Sequence, residues 1–243
     1  MVRVIWVAVA GVAVLILLAG RFAVRWGGWG WFLAGAAGWA VAQGAKYVAL
    51  LPFLGMGGAP LAASGWFALG AALLAGVAEE LGKYVPLRLM RARRREAALA
   101  LGLGAGALEA ATVLAALVAS ALTLLSPGPG LAASLLPVWE RFWAVTTHAG
   151  LAAIDAVAVV RRQARWLLLA MGLHALTDVG AGWYQHLAAI GAPPGRIRAA
   201  ANGEEALVAV LAVGIWWLGL ALWRRVPPEA AAPAAEARLS GGG

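Results

Sequence analysis

Apolar residues fill seven long stretches of this chain, and short polar breaks separate them. The stretches lie at about 4–20, 28–50, 62–87, 97–124, 136–160, 166–190 and 204–223. Each is close to the ~20 residues that a helix needs to cross ~30 Å of hydrocarbon. Arginine, glycine and proline mark the breaks. The pattern predicts an all-α protein, a polytopic transmembrane helical bundle of about seven transmembrane helices.

The composition supports a membrane protein and excludes several other classes. Hydrophobic residues make up 63% of the chain and charged residues 12%, against about 25% charged in soluble domains. No soluble fold can bury so much apolar surface, so the lipid bilayer is the expected solvent. The chain has no cysteine, which excludes a disulfide scaffold and a thiol enzyme. We attribute the net charge of +8 to basic loops beside the membrane, and we expect no nucleic-acid partner.

The whole apolar region reads as one domain. We expect a single integral membrane domain at 1–226, with the helices that bear the candidate site at about 62–190. The remaining segment, PPEAAAPAAEARLSGGG at 227–243, has low complexity and is predicted to be a disordered C-terminal tail.

The distribution of basic residues predicts the orientation of the bundle. With seven spans, alternate loops share one side of the membrane with the C-terminus, and thirteen of the 19 basic residues fall on that side. The opposite side holds three, and three more lie inside the spans. The bias predicts a cytoplasmic C-terminus and an N-terminus outside. Separately, we expect the membrane to be the cell membrane of a bacterium or archaeon. The thirteen are Arg21, Arg25, Arg88, Arg91, Arg93, Arg94, Arg95, Arg161, Arg162, Arg165, Arg224, Arg225 and Arg238.

Ionisable residues inside the apolar stretches are the strongest functional signal. A charge at mid-bilayer costs roughly 2.5–3.5 kcal/mol, and such residues usually pair with one another inside the bundle. At a rise of about 1.5 Å per residue, several of them lie at one depth, between the inner leaflet and the midplane. The sequence therefore predicts a single buried polar site, which we expect to open towards the cytoplasmic half. Its candidates are Glu79, Glu80, Lys83, Glu109, His148, Asp155, His174 and Asp178.

Local spacing suggests roles for some of these residues. Glu79 and Lys83 are separated by one helical turn, in the orientation that favours pairing. This pairing would leave Glu80 for chemistry, although the opposite assignment stays open. His174 and Asp178 are also one turn apart, so Asp178 can accept a proton from one ring nitrogen.

Carboxylates and two histidines in dry surroundings are the groups that activate water. A glutamate can act as a general base, and histidines can bind a metal or an oxyanion. The same residues could instead form a proton relay or an ion-binding site in a transporter. The chain contains no HExxH, GxSxG or P-loop motif.

Four short motifs, taken in order, resemble one known family. They are EELGKY at 79–84, GLGAGALEA at 102–110, ERFWAVTTH at 140–148 and HALTD at 174–178. Together they resemble the YhfC family of intramembrane metalloproteases, which is similar to the PrsW and CPBP (type II CAAX prenyl protease) group. The resemblance covers about 75–190. It implies hydrolysis of a peptide bond in or near a membrane segment of a membrane-protein or membrane-associated substrate.

The resemblance also implies roles for individual residues. Glu79 or Glu80 would be the base, with His148 and His174 as catalytic ligands of a metal or an oxyanion. The implied metal ligands, for a divalent ion with zinc expected, are Glu80, Glu109, His148 and His174. Lys83 and Asp178 would hold these ligands in position without binding the metal themselves. Ala105 stands where the family pattern has a histidine and Lys83 where it has arginine, so a catalytically inactive relative is a further alternative.

Overall fold

The computed structural model describes residues 2–54, 64–123 and 131–227. Over these ranges the chain forms seven helices and no strand, which confirms the predicted all-α bundle. The predicted tail at 227–243 lies outside the described residues, apart from residue 227. The helices are α1 (Val2–Trp26), α2 (Trp29–Leu54), α3 (Gly65–Leu89), α4 (Arg95–Thr123), α5 (Leu131–Arg161), α6 (Ala164–Ala189) and α7 (Pro194–Trp223).

Five of the seven helices are long and apolar enough to cross a membrane. The five segments, found within the described part of the chain, are Trp6–Trp26, Gly65–Leu89, Arg95–Ala119, Leu135–Arg161 and Pro194–Trp223. The other two helices, α2 and α6, have 26 residues each but contain none of these five segments. They carry Gln43, Lys46, His174 and Asp178, and these side chains belong to the polar interior described below.

Helix α7 begins ten residues before the apolar stretch that predicted it, because it starts at Pro194 rather than at 204. Proline suits the first turn of a helix, where its missing N–H is not needed. The first turns contain the exposed residues Arg196 and Arg198. Apolarity therefore marks the segment that can lie in hydrocarbon, whereas the helix itself continues into polar sequence.

Helix α5 lies at the centre of the bundle. It contacts α1, α3, α4, α6 and α7, while α4 contacts α1, α2, α3 and α5. Alanine dominates the core between these helices, and small residues allow membrane helices to approach closely. The helices with ionisable residues, α3 to α6, are consequently direct neighbours.

Two glycines set the spacing of the helices around the polar interior. A Cβ atom at Gly76 of α3 would lie 2.5 Å from the carbonyl oxygen of Met171 in α6. A Cβ atom at Gly102 of α4 would lie 2.4 Å from the carbonyl oxygen of His148 in α5. Both distances are too short for any side chain. These contacts bring Glu79 and Glu80 towards α6, and Glu109 towards α5.

The arginine-rich helix ends gather at one end of the bundle, as a bundle of antiparallel neighbours requires. Gly27, after α1, lies against Glu96 and Ala100 at the start of α4. The Arg161 side chain, at the end of α5, donates a hydrogen bond to the backbone oxygen of Arg225 after α7. The cytoplasmic placement of this end remains a prediction.

Candidate functional site

Ionisable side chains from α2 to α6 meet inside the bundle, in the layer that the sequence predicted. The central residues are each no more than 5% exposed, and they form one connected set of contacts. The prediction that they form a single buried polar cluster is therefore confirmed. The central residues are Glu79, Glu80, Lys83, His148 and His174.

Three of these side chains direct donor atoms at one point. Glu79, His148 and His174 each offer one potential ligand atom, and these atoms lie within 4.8 Å of one another. Glu79 Oε2 is 3.9 Å from His148 Nε2 and 3.6 Å from His174 Nε2. The two imidazole rings are steeply inclined, at 82°, with centroids 5.3 Å apart. The arrangement is a compact carboxylate–bis-imidazole group.

This group has the composition of a divalent metal site. Catalytic zinc commonly has three protein ligands, two histidines and a glutamate among them, plus one open position. Ligands of a tetrahedral zinc at about 2.0 Å are separated by about 3.3 Å, so the two contacts of Glu79 are close to the required spacing, and metal binding would draw all three donors closer together. Ala105 is fully buried in α4, one turn before Glu109. The three donors therefore assemble without a histidine at that position.

Helix α2 anchors Glu79. Its Oε1 accepts hydrogen bonds from Lys46 Nζ at 2.5 Å and from Gln43 Nε2 at 3.0 Å, while Oε2 faces the histidines. Gln43 and Lys46 were not among the predicted site residues. The available signal was their spacing of three residues, which places two polar side chains on one face of an apolar helix.

Lys83 pairs with Glu80, and the favoured pairing of Lys83 with Glu79 is wrong. Lys83 Nζ lies 2.6 Å from Glu80 Oε1, and both side chains are almost completely buried. Two residues that are three positions apart lie on the same helix face, just as two residues four positions apart do. Glu79 is instead held by Lys46, on another helix, which spacing along α3 could not show. Glu80, an implied metal ligand, lies outside the three-donor group.

Glu80 also orients His174. The carboxylate of Glu80 lies at His174 Nδ1, so it can accept the Nδ1–H and leave Nε2 with its lone pair. The prediction that Asp178 has this role is wrong, because its Oδ2 is 3.9 Å from Nε2, which is beyond hydrogen-bonding distance. His174 is thus arranged as a histidine that a carboxylate holds for metal binding.

His148 has a different arrangement. Its Nδ1 is 3.2 Å from Lys83 Nζ, and its Nε2 is 2.5 Å from Glu109 Oε2. Since an ammonium group has no lone pair, Nδ1 must accept from Lys83, and Nε2–H then donates to Glu109. Binding of a metal through Nε2 requires the other tautomer. The donor set therefore fits a divalent metal once His148 carries its proton on Nδ1, which requires that Lys83 no longer donates to that nitrogen.

Arg141 links the cluster to the far end of α5. Its guanidinium binds the carboxylates of both Glu109 and Glu140, and Arg141 is only 8% exposed. Arg141 thus joins its sequence neighbour Glu140 to Glu109 of α4, and the contact with Glu109 was not predicted. The signal for it was the spacing of seven residues between Arg141 and His148, which puts both on one face.

Asp155 lies on the opposite side of the cluster, completely buried. Its carboxylate is close to Glu80 and Lys83. It is near enough to the Glu80 carboxyl group for the two to share a hydrogen bond when one of them carries a proton. Asp155 and Glu80 thus place two carboxylates around one lysine.

A cavity of about 210 Å³ adjoins the histidines. Glu109 and Asp178 line it together with His148 and His174, and it continues to Glu140, Arg141 and Glu204. These last residues lie towards the end of the bundle opposite the arginine-rich loops, so the expected opening towards the predicted cytoplasmic half is not what the structure shows. Glu204 was not predicted as a site residue, because it stands at the edge of its apolar stretch.

The fold and the site define a class: a polytopic helical membrane protein with a buried Glu/His/His group that can hold a divalent metal. The sequence model of the YhfC intramembrane metalloprotease family matches residues 12–127. The predicted resemblance to this family is thereby confirmed, and it supports an integral membrane protein of metalloprotease type. The match runs from within α1 past the end of α4, whereas the motif resemblance extended over about 75–190. It includes Glu79, Glu80, Lys83 and Glu109 but neither of the two site histidines.

Comparison with curated proteins and with solved structures found no match. Roles for His148 and His174 therefore depend on the geometry of this chain.

Proposed function

We propose that this protein is a metal-dependent intramembrane protease, which hydrolyses a peptide bond in or near a membrane segment of its substrate. The observation that supports this most strongly is the convergence of Glu79, His148 and His174 beside a cavity. The match to a metalloprotease family supports the same reaction. The substrate class is a membrane protein or a membrane-associated peptide, because the site lies within a bundle of apolar helices.

Glu79, His148 and His174 would hold the metal, with zinc as the expected ion. When bound, a divalent metal supplies a Lewis acid that polarises a carbonyl group and activates water. Lys46 and Gln43 fix the orientation of Glu79 through its second oxygen. Glu80 holds His174 through Nδ1, which is the usual part of a carboxylate behind a ligating histidine.

Glu109 is the carboxylate best placed to take a proton from water. Its side chain is 23% exposed and lines the cavity together with both histidines. Glu80, one of the two bases that the family resemblance implied, is completely buried and lines no part of this cavity. The structure therefore favours Glu109 as general base and leaves Glu80 as a support for His174 and Lys83.

Arg141 would control the position of Glu109. The guanidinium binds Glu109 and Glu140 together, so it can hold the Glu109 carboxylate towards the cavity in its ionised form. Asp178 and Glu204 line the same cavity and would face the incoming substrate.

The test is proteolysis in reconstituted liposomes. Wild type and the variants Glu109→Gln, His174→Ala and His186→Ala would each be incubated with candidate membrane-protein substrates, and fragments identified by mass spectrometry. Loss of the base or of a ligand should lower turnover by about 10²–10⁴. His186 is the matched control, because it packs against Trp183 with ring centroids 5.3 Å apart, away from the donor group.

Fragments that appear with wild type and His186→Ala but not with the other two variants support the protease. Identical fragment patterns from all four proteins contradict it. Metal content, measured on the same preparations, should be stoichiometric in wild type and lost in the double variant His148→Ala, His174→Ala.

A proton relay is the second candidate, and one observation favours it. Polar contacts run from Glu140 through Arg141, Glu109 and His148 to Lys83, which lies beside Asp155; Arg141, which keeps its proton, would hold Glu140 and Glu109 together while the proton passes between the two carboxylates. Glu140 and Asp155 are about 22 Å apart along α5 by helical rise, most of the thickness of a hydrocarbon core. A pH-driven flux through liposomes that requires Glu109, without any substrate cleavage, would establish this function instead.

A further inference from the structure

A second cavity, which we call the arginine cavity, lies at the arginine-rich end of the bundle. Its volume is about 960 Å³. The end of α3, the segment before α4, the end of α5 and the start of α6 surround it. None of the residues assigned to the donor group or its hydrogen-bond partners lines it. The residues that do are Tyr84, Arg88, Arg91, Ala92, Arg93, Val159, Val160, Arg162 and Ala164.

The charge in the arginine cavity has one sign. No acidic side chain lines it, and Arg88, Arg91 and Arg162 make no side-chain ion pair with any described residue. Neighbouring arginines do have partners: Arg95 binds Glu96 at 3.2 Å, and Arg165 donates to Gln163 Oε1 at 3.2 Å. Several guanidinium groups around one space repel one another, and an anion between them removes that repulsion.

Two of these arginines occupy backbone positions that suit glycine. Arg91 has φ 54° and Arg162 has φ 53°, and they are the only two non-glycine residues with positive φ in the described ranges. Each follows the end of a helix, where a left-handed residue is usually glycine because a Cβ atom is unfavourable there. Both line the arginine cavity. The fold thus carries an arginine side chain at each of two positions where arginine is conformationally costly.

We propose that the arginine cavity binds a phosphate group. Guanidinium groups match phosphate oxygens through paired, charge-assisted hydrogen bonds, and the Tyr84 hydroxyl can donate another. The phosphate belongs either to the head group of an anionic lipid or to a soluble phosphorylated compound, since the cavity lies where the bundle ends. The proposal does not depend on the protease function.

The alternative is that these arginines only hold the loops on one side of the membrane. Arg94 and Arg95 provide the comparison, because they follow Arg91 and Arg93 directly in the chain but do not line the cavity. An anchor depends on the number of charges, so Arg94 and Arg95 should contribute as much as Arg91 and Arg162. A binding site depends on the four cavity arginines alone.

The experiment is native mass spectrometry of the full chain released from detergent micelles. One arm adds phosphatidylglycerol, with phosphatidylcholine of the same acyl chains as reference, and a second arm adds pyrophosphate. Wild type is compared with the double variant Arg91→Gln, Arg162→Gln and with the charge-matched control Arg94→Gln, Arg95→Gln. We expect the cavity variant to bind roughly tenfold more weakly or worse and the control to bind like wild type.

Binding of phosphatidylglycerol alone would identify a lipid ligand, and binding of pyrophosphate a soluble one. Preference for neither probe over phosphatidylcholine, or equal losses in both double variants, would overturn the proposal.

The variants Arg91→Gly and Arg162→Gly guard against a folding artefact. Glycine relieves the left-handed backbone, so each variant should raise the Tm of the ligand-free protein while it weakens binding. A lower Tm in both would show that these arginines serve the fold, and would count against the proposal.

Discussion

Replacement of Glu80 by glutamine should destabilise the protein far more than the same change at Glu79. Glu80→Gln removes the carboxylate that lies 2.6 Å from Lys83 Nζ, and Lys83 is only 1% exposed. The lysine then remains charged and buried, with His148 Nδ1 at 3.2 Å and the nearby Asp155 as its remaining partners. Glu79→Gln leaves Lys46, whose side chain is 19% exposed and can reach water.

The structure sets the expected magnitudes. Loss of one partner from a buried ion pair costs about 3–5 kcal/mol, and Asp155 should bring the cost of Glu80→Gln to the lower end, about 3 kcal/mol. A partly exposed pair contributes about 1 kcal/mol or less, which is our expectation for Glu79→Gln. The difference of about 2 kcal/mol corresponds to roughly a thirtyfold change in the unfolding equilibrium constant.

Equilibrium unfolding in detergent, followed by circular dichroism, measures both variants and their combinations with Lys83→Met. The coupling energy between Glu80 and Lys83 should be about 2 kcal/mol, and that between Glu79 and Lys83 below about 1 kcal/mol. Equal destabilisation by the two glutamine variants, or the reverse order of coupling, would refute the pairing seen here.

Three further tests probe the packing, the donor group and the orientation. Gly76→Ala places a Cβ atom 2.5 Å from the backbone of α6 and should cost about 1–3 kcal/mol in thermal unfolding. Gly172→Ala, at a helical glycine with open space around it, should instead stabilise by about 0.5–1 kcal/mol. His174→Ala should abolish bound zinc, whereas His186→Ala should retain it; elemental analysis that finds equal zinc in both would argue against the donor group. A reporter enzyme that functions only in the cytoplasm should be active when it is fused after Arg225. Activity of a reporter that functions only outside the cytoplasm would reverse the predicted orientation.

The helices could be predicted from sequence because one physical cause decides them. A membrane span must be long, apolar and hydrogen-bonded within itself, and apolar stretches show this directly. The shared depth of Glu80, Glu109, His148 and His174 followed from helical rise alone. The beginning of α7 at Pro194 did not follow, because apolarity ends where the hydrocarbon ends rather than where the helix does.

The hydrogen-bond partners within the site were harder to predict, since they join different helices. Spacing along α3 allows Lys83 to pair with Glu79 or with Glu80. The choice depends on Lys46 of α2, which binds Glu79, and on His174 of α6, which binds Glu80. Arg141 likewise contacts Glu109 across 32 positions of the chain. Such pairings depend on helix packing, which residue spacing within one helix does not contain.

The contact between Lys83 and His148 leads to a last prediction, because it decides which nitrogen of His148 carries the proton. In the present arrangement Lys83 donates to Nδ1 at 3.2 Å, and Nε2–H faces Glu109. A glutamine at position 83 can accept from Nδ1–H through its carbonyl oxygen, which leaves the Nε2 lone pair free. The variant Lys83→Gln should therefore bind zinc about tenfold more tightly than wild type, within the range by which neighbours of metal ligands change affinity.

Removal of a positive charge near the donor group would also favour a dication, so the charge effect needs its own control. Lys46→Gln removes the same charge from the other side of Glu79, and Lys46 makes no contact with either histidine. Competition with a chelating dye gives the zinc affinity of both variants in detergent. If the tautomer matters, Lys83→Gln gains clearly more affinity than Lys46→Gln. Equal gains would mean that charge alone is responsible, and the hydrogen bond from Lys83 would then not control metal binding at His148.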